Sequence, residues 1–110
     1  MRCPTLPDVA QAVQVDGNSS FRVVAGSERS QAAEMVLPPG GSTGGPDNRH
    51  DSSDQWVLVL SGSGTAIVDG SEYELSEGTL LLIEAGEAHE LRSAPDDQLA
   101  TVNFYAPPEY

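Results

Sequence analysis

Alternation of apolar and polar positions, interrupted at short intervals by glycine, organises most of this chain. Asp16-Gly17-Asn18-Ser19-Ser20 reads as a turn, and Phe21-Arg22-Val23-Val24 after it opens a strand pattern. Gln31 to Leu37 gives the next strand, closed by Pro38-Pro39-Gly40-Gly41. Ser42 to Asp47 has no repeating apolar face and reads as loop. From Gln55 the signal sharpens. Gln55 to Leu60, Thr65 to Val68, Glu72 to Leu75, Thr79 to Ile83, Ala88 to Arg92 and Leu99 to Tyr105 are short strand-like runs. Asp69-Gly70 between two of them is a hairpin dipeptide that tolerates positive φ. Short strands with turns at this spacing predict an all-β sandwich or barrel. No stretch has the period of a core helix, and Pro7 to Val13, with Asp8 favouring its start, makes one short helical turn. The expected organisation is an N-terminal arm over 1–20 and a single β-barrel domain over 21–110.

Side chains on a strand alternate between faces, which sorts the residues that can share a cavity. With Gln55 facing inward, Val57 and Val59 follow it, and Trp56, Leu58 and Leu60 point the other way. With His89 facing inward, Leu91 joins it, and Glu90 and Arg92 point outward. Gln55, Val57, Val59 and Leu91 then give an amide and aliphatic walls, a lining suited to a small-molecule ligand. Trp56, Leu58 and Leu60 need cover. A second subunit provides it in one reading, and the N-terminal segment of the same chain in the other.

Length and charge narrow the field. At 110 residues the chain has the size of one domain. It carries 17 acidic residues against five arginines and no lysine, a formal net charge of −12. Such a surface repels nucleic acid and anionic membranes, whose binding relies on Lys and Arg neutralising phosphate. A lone cysteine, Cys3, excludes an internal disulfide and suits a reducing cytosol. Neither a signal-type start nor a long apolar run is present, so a cytoplasmic location without a membrane partner is expected.

The only two histidines, His50 and His89, each lie beside a strand-like run. Neutral imidazole is the commonest ligand for several divalent metals, and two from separate strands can converge inside a barrel. The plainer reading makes His50 a solvated loop residue and His89 a core residue satisfied by a backbone carbonyl. Around them, Asn48 to Gly62 and Gly78 to Ser93 resemble the two motifs of the cupin family. Anchored on Gly62, the motif glutamate falls on Gln55, its second histidine on His50 and its first on Asn48. Its leading glycine falls on Ser42, one place from Gly41. In the second motif Gly78, Gly86 and His89 match, while Glu84 replaces a proline and Ser93 an asparagine. From about Glu34 onward the chain is similar to a subgroup of small, single-domain bacterial cupins.

That resemblance implies a double-stranded β-helix, the jelly-roll barrel of cupins, assembled as a homodimer. It also implies a divalent metal such as Zn, Fe, Mn or Ni, with His50, His89, Gln55 and Asn48 as its ligands. Gln55 and Asn48 replace a carboxylate and an imidazole, so the set brings no charge to offset the cation and should bind it more weakly. The expected function is a small-molecule-binding cupin, with or without a metal. The alternatives are a metal-dependent enzyme of dioxygenase or isomerase type, and a metal-free structural or partner-binding barrel.

Overall fold

The computed structural model describes residues 20–45 and 48–110. The arm over 1–20, except Ser20, and the turn at Pro7 to Val13 lie outside the described residues. Those described form eight strands: β1 (Ser20–Gly26), β2 (Gln31–Leu37), β3 (Asp54–Gly62), β4 (Gly64–Val68), β5 (Ser71–Leu75), β6 (Leu80–Ile83), β7 (His89–Ser93) and β8 (Leu99–Ala106). Each run with strand-like alternation is a strand. They pair antiparallel into a five-stranded sheet, β1-β2-β8-β3-β6, and a three-stranded sheet, β5-β4-β7.

Both sheets feed one core. Met35, Leu37, Val57, Val59, Ile83 and Leu99 from the larger sheet pack with Ala66, Val68, Leu75 and Leu91 from the smaller. The architecture is therefore two antiparallel layers closed over an apolar interior, the jelly-roll form of the double-stranded β-helix. The chain passes between layers at Gly62-Ser63-Gly64. A Cβ on Gly62 would overlap the Gln98 carbonyl oxygen, and one on Gly64 the Arg92 carbonyl oxygen. Only glycine lets the backbones approach this closely. At the β4–β5 hairpin Asp69 and Gly70 take φ of 47° and 84°, which matches the twist of the flanking strands.

Register aligns the inward positions of the large sheet into rows. Gln31, Tyr105, Gln55 and Ile83 form the row at one end. Ala33, Asn103 and Val57 come next, then Met35, Thr101 and Val59, and Leu37 with Leu99 marks the opposite end. Polarity thus grows toward the Gln55 end, where the cavity opens.

The loop between β2 and β3 lies along β7. Thr43 N–H donates to the Leu91 carbonyl oxygen (3.0 Å) and Leu91 N–H to Thr43 Oγ1 (3.0 Å). His89 N–H donates to the Asn48 carbonyl oxygen (2.7 Å), and Gly86 N–H to that of His50 (2.7 Å). Glu90 is on the outer face, as alternation requires, and it is buried there. The loop covers it: Ser42 Oγ donates to Glu90 Oε2 (2.6 Å), and Arg92 closes over both carboxylate oxygens (2.9 and 3.1 Å). Arg92 and Ser42 hold this carboxyl below the usual range.

Candidate functional site

His50 reaches the site because the loop carrying it is pinned to β7, while His89 sits at the first position of that strand. Their ring centroids are 4.9 Å apart. Gln55, at the mouth end of β3, meets them from the opposite sheet. They open onto a cavity of about 480 Å³ whose walls include Phe21, Met35, Leu37, Leu91, Tyr105 and Tyr110. Thr43, Asn48 and Arg49 line its loop side. Apolar walls with a few convergent polar groups are the usual make-up of a small-ligand site.

A chain of hydrogen bonds fixes the polar end. Thr101 Oγ1 donates to the Met35 carbonyl oxygen (3.0 Å), which can only accept. Its oxygen is then free to accept from Asn103 Nδ2 (3.0 Å), which turns Asn103 Oδ1 toward Gln55 Nε2 (3.0 Å). Gln55 therefore presents Oε1 to His50 Nε2, also at 3.0 Å. On the far side of the ring, His50 Nδ1 lies 2.7 Å from the Glu109 carboxylate. Both neighbours can accept, so the ring is held between an amide oxygen and a carboxylate. The residues behind it, Thr101 and Asn103, are fully buried.

His89 differs in kind. Its Nδ1 hydrogen-bonds the Glu87 carbonyl oxygen (3.1 Å), which makes that nitrogen the protonated one of a neutral ring. Burial lowers its pKa, only partly offset by the Glu87 carbonyl, and the adjacent His50 lowers it further. Nε2 of His89 is the one imidazole nitrogen among the described residues without a hydrogen bond. Tyr105 stands edge-on to His50 at 5.5 Å, and burial raises its phenol pKa, so it is a neutral wall group.

These donors do not fit a divalent cation as they are arranged. Both ring nitrogens of His50 are engaged, by Gln55 and Glu109, and Gln55 Oε1 is itself engaged. Asn48 is exposed, and its side-chain nitrogen is 3.5 Å from the Thr43 carbonyl oxygen. No group of three His, Cys, Asp or Glu able to hold a metal occurs among the described residues.

Of the residues singled out from sequence, His50, His89, Gln55, Asn48 and Leu91 line one cavity. Val57 and Val59 face inward but sit in the core below it. Sequence reasoning missed Glu109, Gln31, Asn103 and the aromatic walls. One signal was available for part of it: Thr101, Asn103 and Tyr105 alternate along β8, a polar stripe on an inward face.

Comparison with known proteins agrees with this architecture. An rmlC-like cupin protein from Desulfovibrio desulfuricans superposes with a TM-score of 0.79 at 22% identity, covering 99% of each chain. KdgF from Halomonas sp. gives 0.76 at 19% identity, over 86% of this chain and 84% of its own. A predicted oxalate decarboxylase from Thermotoga maritima gives 0.74 at 20% identity, over 82% and 81%. No protein of curated function matches the chain. The family model described as Cupin domain matches residues 33–105, which takes in both motif segments and the strands that carry Gln55 and His89. The chain belongs to the cupin domain family.

Proposed function

We propose that this protein binds a small organic molecule in the cavity between His50, Gln55 and His89. The observation that carries this is the cavity of about 480 Å³, apolar on its walls and polar at one end. A barrel serving only as structure would fill that space with side chains. Gln55 and Leu91 form part of its surface, and the network behind Gln55 holds the polar groups in place before any ligand arrives.

A thermal-shift screen of neutral and anionic small molecules tests this. Compounds that stabilise the wild type should lose their effect in Gln55→Ala, whose own melting temperature supplies the baseline. A screen in which no compound stabilises the wild type would leave a structural barrel as the better reading.

The 4.9 Å separation of the His50 and His89 rings is the one observation that favours a metal-dependent enzyme. That reading requires Glu109 to leave His50, so that a ring nitrogen is free. Near-stoichiometric Zn, Fe, Mn or Ni after reconstitution, lost in both His50→Ala and His89→Ala, would establish it.

We also propose a homodimer. Trp56 pairs across the large sheet with Phe104 and Leu82, and Leu58 with Leu80. Trp56 (41% exposed), Phe104 (43%), Leu80 (58%) and Leu82 (39%) thus make one continuous apolar patch on the outer face. Contiguous patches of this kind mark association surfaces.

A further inference from the structure

The segment after β8 turns back across the cavity mouth. Gln31 Oε1 accepts the backbone N–H of Glu109 (3.3 Å) and of Tyr110 (2.9 Å), and its Nε2 donates to the Tyr110 carbonyl oxygen (2.6 Å). Ser53 Oγ donates to the Pro107 carbonyl oxygen (2.7 Å). The Tyr110 ring packs on Phe21, with centroids 4.8 Å apart. Held at these points, the segment delivers the Glu109 carboxylate to His50 Nδ1 at 2.7 Å.

Positive charge is scarce in this chain, and one of its five arginines stands at the mouth. Arg22 is paired with Glu34, and Arg92 with Glu90. Arg49 lines the cavity and has no acidic partner among the described residues. Beside it, His50 Nδ1 already holds a carboxylate at 2.7 Å. Glu109 is therefore a carboxylate bound at the polar end of the cavity, tethered by a short strap. A ligand carboxylate would make the same charge-assisted bond.

We propose that the pocket takes a small carboxylate with an apolar body, and that Glu109 is the built-in occupant this carboxylate displaces from His50. The proposal rests on the cavity being a small-molecule site and names the class of molecule. Exchange of one carboxylate for another keeps an acceptor on His50 Nδ1, so binding leaves no donor unpaired. Met35, Leu37 and Leu91 face the apolar body, and the strap swings away from the mouth to admit it.

Titration calorimetry with hexanoate and benzoate, each beside its amide, tests this in the wild type and in Glu109→Gln. The substitution keeps an acceptor but removes the competing charge. Both acids should bind Glu109→Gln about tenfold more tightly, the scale of one charge-assisted hydrogen bond, while the amides change little. In His50→Gln the preference for acid over amide should vanish, with a circular-dichroism melt showing that the variant is folded. As a measurement free of substitution, the His50 ring nitrogen resonances of the wild type should shift on addition of either acid. Equal binding of acids and amides, or unchanged acid affinity in Glu109→Gln, overturns the proposal. Stabilisation by neutral compounds alone also overturns it but leaves the cavity a ligand site. Failure of every compound to bind removes both.

Discussion

Asn103 has no contact with solvent, yet it decides which way the Gln55 amide points. Asn103→Leu would leave Gln55 Nε2 without its acceptor and Thr101 Oγ1 without its donor. Urea unfolding should show a loss of about 1–3 kcal/mol, the usual cost of stranding a buried polar group. His89 gives a second test. Its folded-state pKa is lowered, so as pH falls the unfolded chain takes up the proton first. Stability from a neutral His89 is therefore fully present above the ordinary histidine pKa of 6.5 and declines below it, toward the lowered folded-state pKa. The difference in melting temperature between wild type and His89→Gln should shrink or reverse between about pH 7 and pH 5. Of these groups, His50, Gln55 and His89 were legible because motif spacing marks them. Glu109 was not, because the Gln31 side chain that anchors its segment lies 79 residues from Tyr110 and no local pattern records the contact.

The strands follow from local rules, since period-two alternation ended by glycine turns fixes both their number and their facing. The β2–β3 loop does not. Its polar, glycine-rich composition signals only irregular backbone, whereas its course along β7 depends on hydrogen bonds to strand edges far along the chain. That course is what buries Glu90 and brings His50 to His89. The crossover between sheets is more exacting than either. Gly64→Ala forces a Cβ into the Arg92 carbonyl and should cost about 2–3 kcal/mol, as overpacking does. Gly45→Ala, where nothing lies within 4 Å, should be close to neutral. Chemical denaturation of the two variants side by side separates steric need from turn preference.

The large sheet has two faces with different tasks, one closing the core and one carrying the Trp56 patch. Light scattering at micromolar concentration should give twice the 11.6 kDa chain mass, and Trp56→Glu should return the monomer. The net charge of −12 works against such pairing. Dimerisation should therefore tighten with salt, which screens repulsion between like-charged copies; analytical ultracentrifugation at low and high ionic strength reads this directly. Among the described residues no helix is long and apolar enough to cross a membrane. The inward rows have a consequence for how such a protein can change over generations. Leu99, Val57 and Val59 secure the barrel away from the mouth, whereas Gln31, Gln55 and Tyr105 sit together beside it. Inheritance can thus rewrite the open row, and with it what the barrel recognises, while the deeper rows go on specifying the same shape.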